Sequence, residues 1–186
     1  MDKLFGIHLD DWYWSLKFGK SKKKLSLYDL RNMAIEQVPA PVFFLSTGRC
    51  GTKWFSSLFD KNTDLMVLHH PIPNMASQSK LVYDAYKSSN FQPKTMEQNL
   101  MNELFWTGRE QFIRYSYKSQ KRLFETNNSI SFFAPVIAEI FPHARFVHLY
   151  RHPGEFVRSA IRRKHYTDDN SEDIKRVEPI QGDEYF

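Results

Sequence analysis

Residues 46–53 concentrate the groups that proteins use to bind anions. Gly48 and Gly51 lie three positions apart, and the same eight residues carry hydroxyl groups, a thiol and two cations at Ser46, Thr47, Arg49, Cys50, Thr52 and Lys53. Glycine permits a tight turn and a close approach of the backbone to a ligand. The stretch therefore predicts a cradle for a phosphate-like group. A basic turn that binds no ligand is the alternative interpretation.

The flanking residues place this loop between a strand and a helix. The apolar run Phe43-Phe44-Leu45 precedes the loop, and apolar residues recur after it at helical spacing, at Trp54, Phe55, Leu58 and Phe59. A helix that begins near residue 51 or 52 would direct its free amide hydrogens and its positive dipole end into the loop. This order of elements is typical of anion sites at helix N-termini.

The loop differs from the triphosphate-binding P-loop. That motif, G-x-x-x-x-G-K-[ST], places lysine directly after the last glycine and a magnesium-binding hydroxyl after the lysine. Here Thr52 follows Gly51, and Lys53 is followed by Trp54. The magnesium-binding hydroxyl is missing from its place, so we expect an anion to be bound without a metal. A P-loop-like nucleotide or phosphate kinase is the alternative.

The composition is that of one soluble globular domain. With 186 residues, 41% hydrophobic and 16% aromatic, the chain can form a substantial core and is not of the disordered class. No apolar run approaches the roughly 20 residues of a membrane span, and residues 1–14 lack the apolar core of a signal peptide. The single cysteine, Cys50, excludes an internal disulfide and predicts a reducing, cytoplasmic location.

Charge divides the chain into three parts. Residues 1–38 form an aromatic and basic extension with the run GKSKKK at 19–24, residues 39–167 form the ligand-binding domain, and residues 168–186 form an acidic tail. The tail holds seven acidic and two basic residues, so it carries −5 and the remainder carries +10. A cationic body suits an anionic ligand. The basic run suits a solvated turn, or contact with nucleic acid or an anionic membrane.

Strands alternate with helices over most of the chain. The pattern predicts strands at residues 42–45, 65–68, 121–125 and 144–150, and helices near 52–59, 95–119, between 126 and 141, and at 155–165. This alternation predicts an α/β fold, a three-layer sandwich around a mostly parallel sheet, as in P-loop NTPases. Ligands bind at the carboxyl ends of the strands in such sheets. The sequence places polar residues there: Arg49, His70, Glu125 and Arg151.

A second anion-binding pair follows the last predicted strand. Arg151 comes directly after that strand, and Ser159 follows eight residues later, two turns into the next helix. The arginine supplies planar donors and the serine a neutral hydrogen bond, so the two can converge on one phosphate.

Together the two stretches resemble the cofactor-binding motifs of sulfotransferases that use 3′-phosphoadenosine 5′-phosphosulfate (PAPS). The first family motif has the form [PG]-[KR]-[SC]-G-T-[TK], and the second is R-[DNH]-P followed by a helix with a serine. This chain reads GRCGTK and RHP. The resemblance implies a binding site for PAPS and its product PAP, without a metal, made of Thr47, Gly48, Arg49, Cys50, Gly51, Thr52, Lys53, Trp54, Arg151 and Ser159.

The resemblance also implies roles within that site. Arg49 would lie beside the bridging oxygen, residues 51–53 on the 5′-phosphate, and Arg151 with Ser159 on the 3′-phosphate. The aromatic residues Trp54, Phe55, Phe132 and Phe133 are expected in the core, with stacking of one of them on the adenine as the alternative. Cys50 replaces the usual serine and Lys53 a common second threonine, and both replacements keep the capacity to bind an anion.

The acceptor hydroxyl needs a general base. Many relatives place a glutamate at the end of the second strand, in a context like His-Glu-Pro, and this chain has His69-His70-Pro71 there. The ordinary pKa of histidine, near 6.5, suits that task, so His70 is favoured and Glu125 is the rival. A loop cap or a metal site is the alternative for the histidine pair, although no third ligand is evident.

The sequence therefore predicts a metal-independent sulfotransferase. A carbohydrate hydroxyl is the favoured acceptor, with lipid, peptide and small phenol as alternatives. An inactive module that binds PAP or, less favoured, nucleic acid is the non-enzymatic alternative.

Overall fold

The structure, a computed structural model, describes residues 37–90 and 92–164 and the backbone of two short strands near the N-terminus. These strands, β1 (Lys3–Leu4) and β2 (Ile7–His8), form an antiparallel pair. The basic run at residues 19–24 and the acidic tail at residues 168–186 lie outside the described residues, so their expected roles stay predictions.

Four strands form a parallel sheet, as the sequence predicts. They are β3 (Val42–Leu45), β4 (Leu65–Leu68), β5 (Arg122–Glu125) and β6 (Arg145–His148), and their order across the sheet is β4-β5-β3-β6. The first two have the predicted bounds, whereas the last two are shorter than predicted. All neighbouring pairs are parallel, so the loops that follow the four strands share one edge of the sheet.

Within residues 37–90 and 92–164, five α-helices and one 3-10 helix connect and cover these strands. They are α1 (Thr52–Phe59), α2 (Ala76–Ser88), α3 (Thr95–Ser119), the 3-10 helix (Asn128–Phe133), α4 (Ala134–Ile140) and α5 (Pro153–Arg162). α2 has no counterpart in the sequence-based expectations. Only Ser79 and Val82 are buried on it, so its apolar periodicity is too weak to predict a helix.

Apolar side chains cover both faces of the sheet. On one face Phe43, Met66 and Leu123 join residues of α3 and α4 in the larger core. On the other face Val42, Phe44, Val67 and Phe124 pack with Phe55 and Phe59 of α1. Each fully buried large side chain stabilises the fold by about 1.5–3 kcal/mol. The alternation of strand residues between two helical layers confirms the predicted three-layer α/β fold.

Two aromatic residues expected in the core lie at the surface. Trp54 is 61% exposed and Phe132 is 52% exposed, although their neighbours Phe55 and Phe133 are packed inside. The core interpretation of Trp54 and Phe132 is therefore wrong. Within the described part of the chain, no helix combines the length and apolar character needed to cross a membrane.

Candidate active site

The loop after β3 has the backbone of an anion cradle. Gly48, Arg49 and Gly51 have φ values of 86°, 51° and 95°, so three of four consecutive residues adopt the left-handed backbone conformation of a tight loop. Gly51 precedes α1, and no described side chain caps the first turn of that helix. Amide hydrogens at an uncapped helix start remain available to an anion.

Gly48 also permits a close contact with the segment that follows β5, the neighbour of β3 in the sheet. A β-carbon built on Gly48 would lie 3.3 Å from Nδ2 of Asn128, which is tighter than most contacts in proteins. A β-carbon on Gly51 would meet no described residue within 4 Å, so the positive φ, rather than a close contact with the protein, requires glycine there. Glycine is therefore needed at Gly48 for the contact with Asn128 as well as for the positive φ, and at Gly51 for the positive φ.

The 3-10 helix after β5 holds the cradle in place. The amide of Ser46 donates to Oγ of Ser131 at 3.1 Å, and the Ser131 hydroxyl donates to the Ser46 carbonyl at 3.0 Å. The amide of Gly48 donates to Oγ of Ser46 at 3.3 Å. Ser131 and Asn128 were not among the predicted site residues. The polar run at residues 125–129, directly after a strand, is the signal that points to them.

Arg49, Arg151 and Ser159 form one cluster. The guanidinium of Arg49 donates to Oγ of Ser159 from Nε at 3.2 Å and from Nη2 at 3.0 Å. Arg151 donates from Nη1 to the carbonyl of Arg49 at 2.8 Å. The structure thus brings together three residues to which the sequence assigned two different places, Arg49 beside the bridging oxygen and Arg151 with Ser159 on the 3′-phosphate. Their separate roles toward a ligand stay a prediction.

A cationic cavity of about 280 Å³ opens beside this cluster. Its lining residues are Arg49, Arg151, Glu155, Arg158, Ser159, Arg162 and Arg163. Arg158 and Arg151 lie beside Glu155 and hold the pKa of its carboxyl below the usual value, so Glu155 is ionised at neutral pH. Five guanidiniums and one carboxylate leave the cavity strongly positive, which suits a doubly charged phosphate.

Arg158 and Arg162 of α5, and Arg163 directly after it, line this cavity and were not predicted as site residues. Arg158 and Arg162 are four positions apart on the helix, which places them on the same face. That spacing is visible in the sequence and is the signal that could have identified them.

The two histidines lie at the end of β4 in different surroundings. Nδ1 of His69 is 3.0 Å from Oγ1 of Thr126 and 3.3 Å from its carbonyl oxygen. Burial lowers the pKa of His69 from its ordinary value, and the positive charge of Lys53 adds to this, while the Thr126 hydrogen bond opposes it. His70 is exposed, has φ 48°, and its ring centre is 4.4 Å from that of His69.

Glu125 is engaged in a buried ion pair. Both its side chain and that of Arg109 on α3 are fully buried. The guanidinium donates from Nε to Oε2 at 2.8 Å and from Nη2 to Oε1 at 2.7 Å. This carboxylate therefore has no solvent-accessible surface for an acceptor hydroxyl, and its position argues against the proton-accepting role that the sequence assigned to Glu125 as the rival of His70.

The same arginine anchors the loop that carries the histidines. Nη1 of Arg109 donates to the carbonyl of Pro73 at 2.8 Å, and Nδ2 of Asn127 donates to the carbonyl of Asn74 at 2.9 Å. A β-carbon on Gly108 would lie 2.3 Å from the sulfur of Met75, so α3 and this loop touch directly. These contacts fix residues 71–75 against the protein interior.

The remaining predicted residues line the cradle without strong internal bonds. Thr47 Oγ1 and the thiol of the half-buried Cys50 are 3.6 Å apart, and Thr52 is buried at the start of α1. Lys53 and Trp54 are exposed. Among the described residues, no group of three or more His, Cys, Asp or Glu side chains could hold a metal ion.

The fold is α/β, and the candidate site is a glycine-containing, cationic loop at the carboxyl edge of a parallel sheet. Comparison with known protein families shows that the model of the sulfotransferase family matches residues 41–183. That match covers more than half of the chain, and the chain therefore belongs to the sulfotransferase family. Neither the curated proteins nor the solved structures gave a match.

Proposed function

We propose that this chain transfers the sulfuryl group of PAPS to an acceptor hydroxyl. The observation that carries the proposal is the joining of two anion-binding elements at one sheet edge. Arg49 belongs to both, because its backbone turns within the cradle and its guanidinium reaches Ser159 on α5. A nucleotide with anionic groups on both its 5′ and 3′ sides needs two such elements.

The residues present fit the two ends of this nucleotide. The loop amides around Gly51 and the start of α1 would hold the 5′-phosphosulfate. The cavity with Arg151, Ser159 and Arg158 would hold the 3′-phosphate, for which arginine offers paired donors. The exposed ring of Trp54, next to the cradle, offers a surface on which the adenine can stack.

Catalysis then rests on positioning and on charge stabilisation. Bound here, the donor supplies a sulfur atom that bonds to the acceptor oxygen as its bond to the 5′-phosphate oxygen breaks. Arg49 stabilises the negative charge on the departing oxygen and gives up no proton, because a guanidinium is not deprotonated in proteins. Lys53, whose charge lowers the pKa of His69, adds positive charge on the acceptor side of the cradle.

We propose His70 as the base that takes the proton of the acceptor hydroxyl. It is exposed at the end of β4, in contrast to Glu125, which is buried against Arg109. His69 contacts the ring of His70 and, with its lowered pKa, stays neutral at neutral pH. A neutral neighbour leaves the imidazole of His70 free from like-charge repulsion by His69.

Thermal shift and transfer assays test the proposal. We expect PAP to raise the melting temperature more than AMP, because only PAP reaches the cavity beside α5, and more than ATP with magnesium. Transfer of labelled sulfate from PAPS to pools of saccharides, lipids and phenols then identifies the acceptor, with a saccharide as the expected one. A shift with AMP as large as that with PAP would count against the two-element site.

The same measurements address the alternative functions. A kinase would be stabilised most by ATP with magnesium, since that pair is its substrate. A nucleic-acid-binding module would bind oligonucleotides with an affinity that falls steeply as salt is raised. Binding of PAP without any sulfate transfer would indicate a module that has lost catalysis.

A further inference from the structure

The polar residues 125–128 begin with the last residue of β5 and lie at the same edge of the sheet as the cradle. The first three, Glu125, Thr126 and Asn127, are fully buried, and their side chains are hydrogen bonded within the protein. Asn128 differs from them. It is half-buried, and within residues 37–90 and 92–164 its carboxamide has no hydrogen-bond partner. Of this polar run, only Asn128 keeps its side-chain donors for a ligand.

The carboxamide of Asn128 lies against the cradle itself. Its Nδ2 and Cγ are 3.3 and 3.6 Å from the position that a β-carbon on Gly48 would occupy. The backbone around it is fixed, because Oγ of Ser131 accepts from the Ser46 amide and its single hydrogen lies within reach of the carbonyls of Asn128 and Ser46, at 2.8 and 3.0 Å. An amide group is therefore held at the rim of an anion-binding loop.

The order of the strands places Asn128 between donor and base. Along the edge, the loop with His70 follows β4, Asn128 follows β5, and the cradle follows β3. Neighbouring strands are about 4.8 Å apart, so β4 and β3 are separated by roughly 10 Å. A group that moves from the cradle toward His70 has to pass the end of β5, where Asn128 lies.

We infer that the side-chain amide of Asn128 donates a hydrogen bond to the sulfuryl group of the donor held in the cradle. This inference rests on the proposed function and adds a contact to the reacting group. Sulfuryl oxygens carry negative charge, and hydrogen bonds to charged acceptors are shorter and stronger than neutral ones.

Calorimetry with PAPS and with PAP, in the absence of acceptor, tests this contact, because the two nucleotides differ only in the sulfuryl group. For Asn128→Ala we expect PAPS affinity to fall about tenfold, as for one hydrogen bond to a charged group. PAP affinity should stay within about twofold. Asn128→Asp should weaken PAPS further, because the carboxylate repels the sulfuryl oxygens. Ser129→Ala, one residue further on the 3-10 helix, is the matched control and should leave both affinities unchanged.

Each other outcome overturns the inference in a recognisable way. Equal loss of PAP and PAPS affinity in Asn128→Ala would place the amide on the nucleotide rather than on the sulfuryl group. Unchanged affinity for both would show that Asn128 is not a ligand, while the proposed function would stand. Failure of the unaltered chain to bind either nucleotide would overturn the proposed function and this inference together.

Discussion

The guanidinium of Arg49 donates two hydrogen bonds to the hydroxyl of Ser159, at 3.2 and 3.0 Å. The two residues are 110 positions apart in the chain, and these bonds tie the loop after β3 to α5. Arg151 strengthens the connection through the carbonyl of Arg49. Because the Arg49 side chain joins the loop after β3 to α5, a ligand that binds one of these elements also affects the position of the other.

Removal of Arg151 should selectively weaken the binding of PAP. We expect Arg151→Ala to cost roughly 2–4 kcal/mol of binding free energy, because a charged partner of the 3′-phosphate is lost. Calorimetry with PAP and AMP measures this, and AMP binding should change little. Arg145→Ala is the matched control, since Arg145 lies at the opposite end of β6 and is exposed. If PAP affinity fell equally in Arg151→Ala and Arg145→Ala, the loss of one positive charge, rather than of a contact with the 3′-phosphate, would explain the result.

The role of His70 as the general base can be tested by measuring turnover. For His70→Ala we expect kcat to fall about 10²–10⁴-fold, the contribution typical of a general base. PAP affinity should be nearly unchanged, and the acidic limb of the pH–rate profile should disappear. His143→Ala is the control, because His143 bonds to the Val38 carbonyl rather than to residues of the site. If the acidic limb persists in His70→Ala, another group is the base.

The buried ion pair should dominate the stability effects of the site. Glu125→Gln should lower the free energy of unfolding by about 3–5 kcal/mol, because it leaves the charge of Arg109 buried and uncompensated. The double variant Arg109→Met/Glu125→Leu should recover much of that loss, since neither charge remains. Urea unfolding measures both. Asp84→Asn breaks the exposed pair with Lys80 and should cost less than about 1 kcal/mol. If Glu125→Gln lowered the free energy of unfolding no more than Asp84→Asn does, the buried ion pair would not have the predicted weight.

The lowered pKa of His69 gives stability a pH dependence with a definite sign. In the unfolded chain the imidazole takes up a proton near pH 6.5, whereas in the folded protein it does so only at lower pH. The unfolded state therefore binds more protons between the two pKa values, so stability falls as the pH drops through that window and then levels off. We expect His69→Gln to flatten this part of the melting temperature profile. A profile identical to that of the unaltered protein would refute the assignment.

Cys50 provides a chemical reporter of the cradle. It is the single cysteine of the chain and is half-buried in the loop, near the hydroxyl of Thr47. We expect iodoacetamide to label it and PAP to slow the labelling, because the nucleotide covers residues 46–53. The labelling rate with and without PAP is the measurement. Labelling that is equally fast in both conditions would place the nucleotide elsewhere.

The sequence by itself determined the local parts of this protein. The apolar quartets of β3 and β4, the glycines of the cradle and the start of α1 were predictable, because each depends on residues that are close in the chain. The same is true of α3, whose bounds match the predicted ones. Parallel pairing followed from the alternation of strands with helices.

Only the tertiary structure decided which polar groups meet. Arg49 bonds to Ser159 and Arg109 to Glu125 because the sheet order brings distant loops and helices together, and no local pattern encodes that order. A carboxylate at a strand end looks the same in sequence whether it faces a substrate or a buried guanidinium. Burial and partner geometry, which depend on the whole fold, separate Glu125 from Asn128.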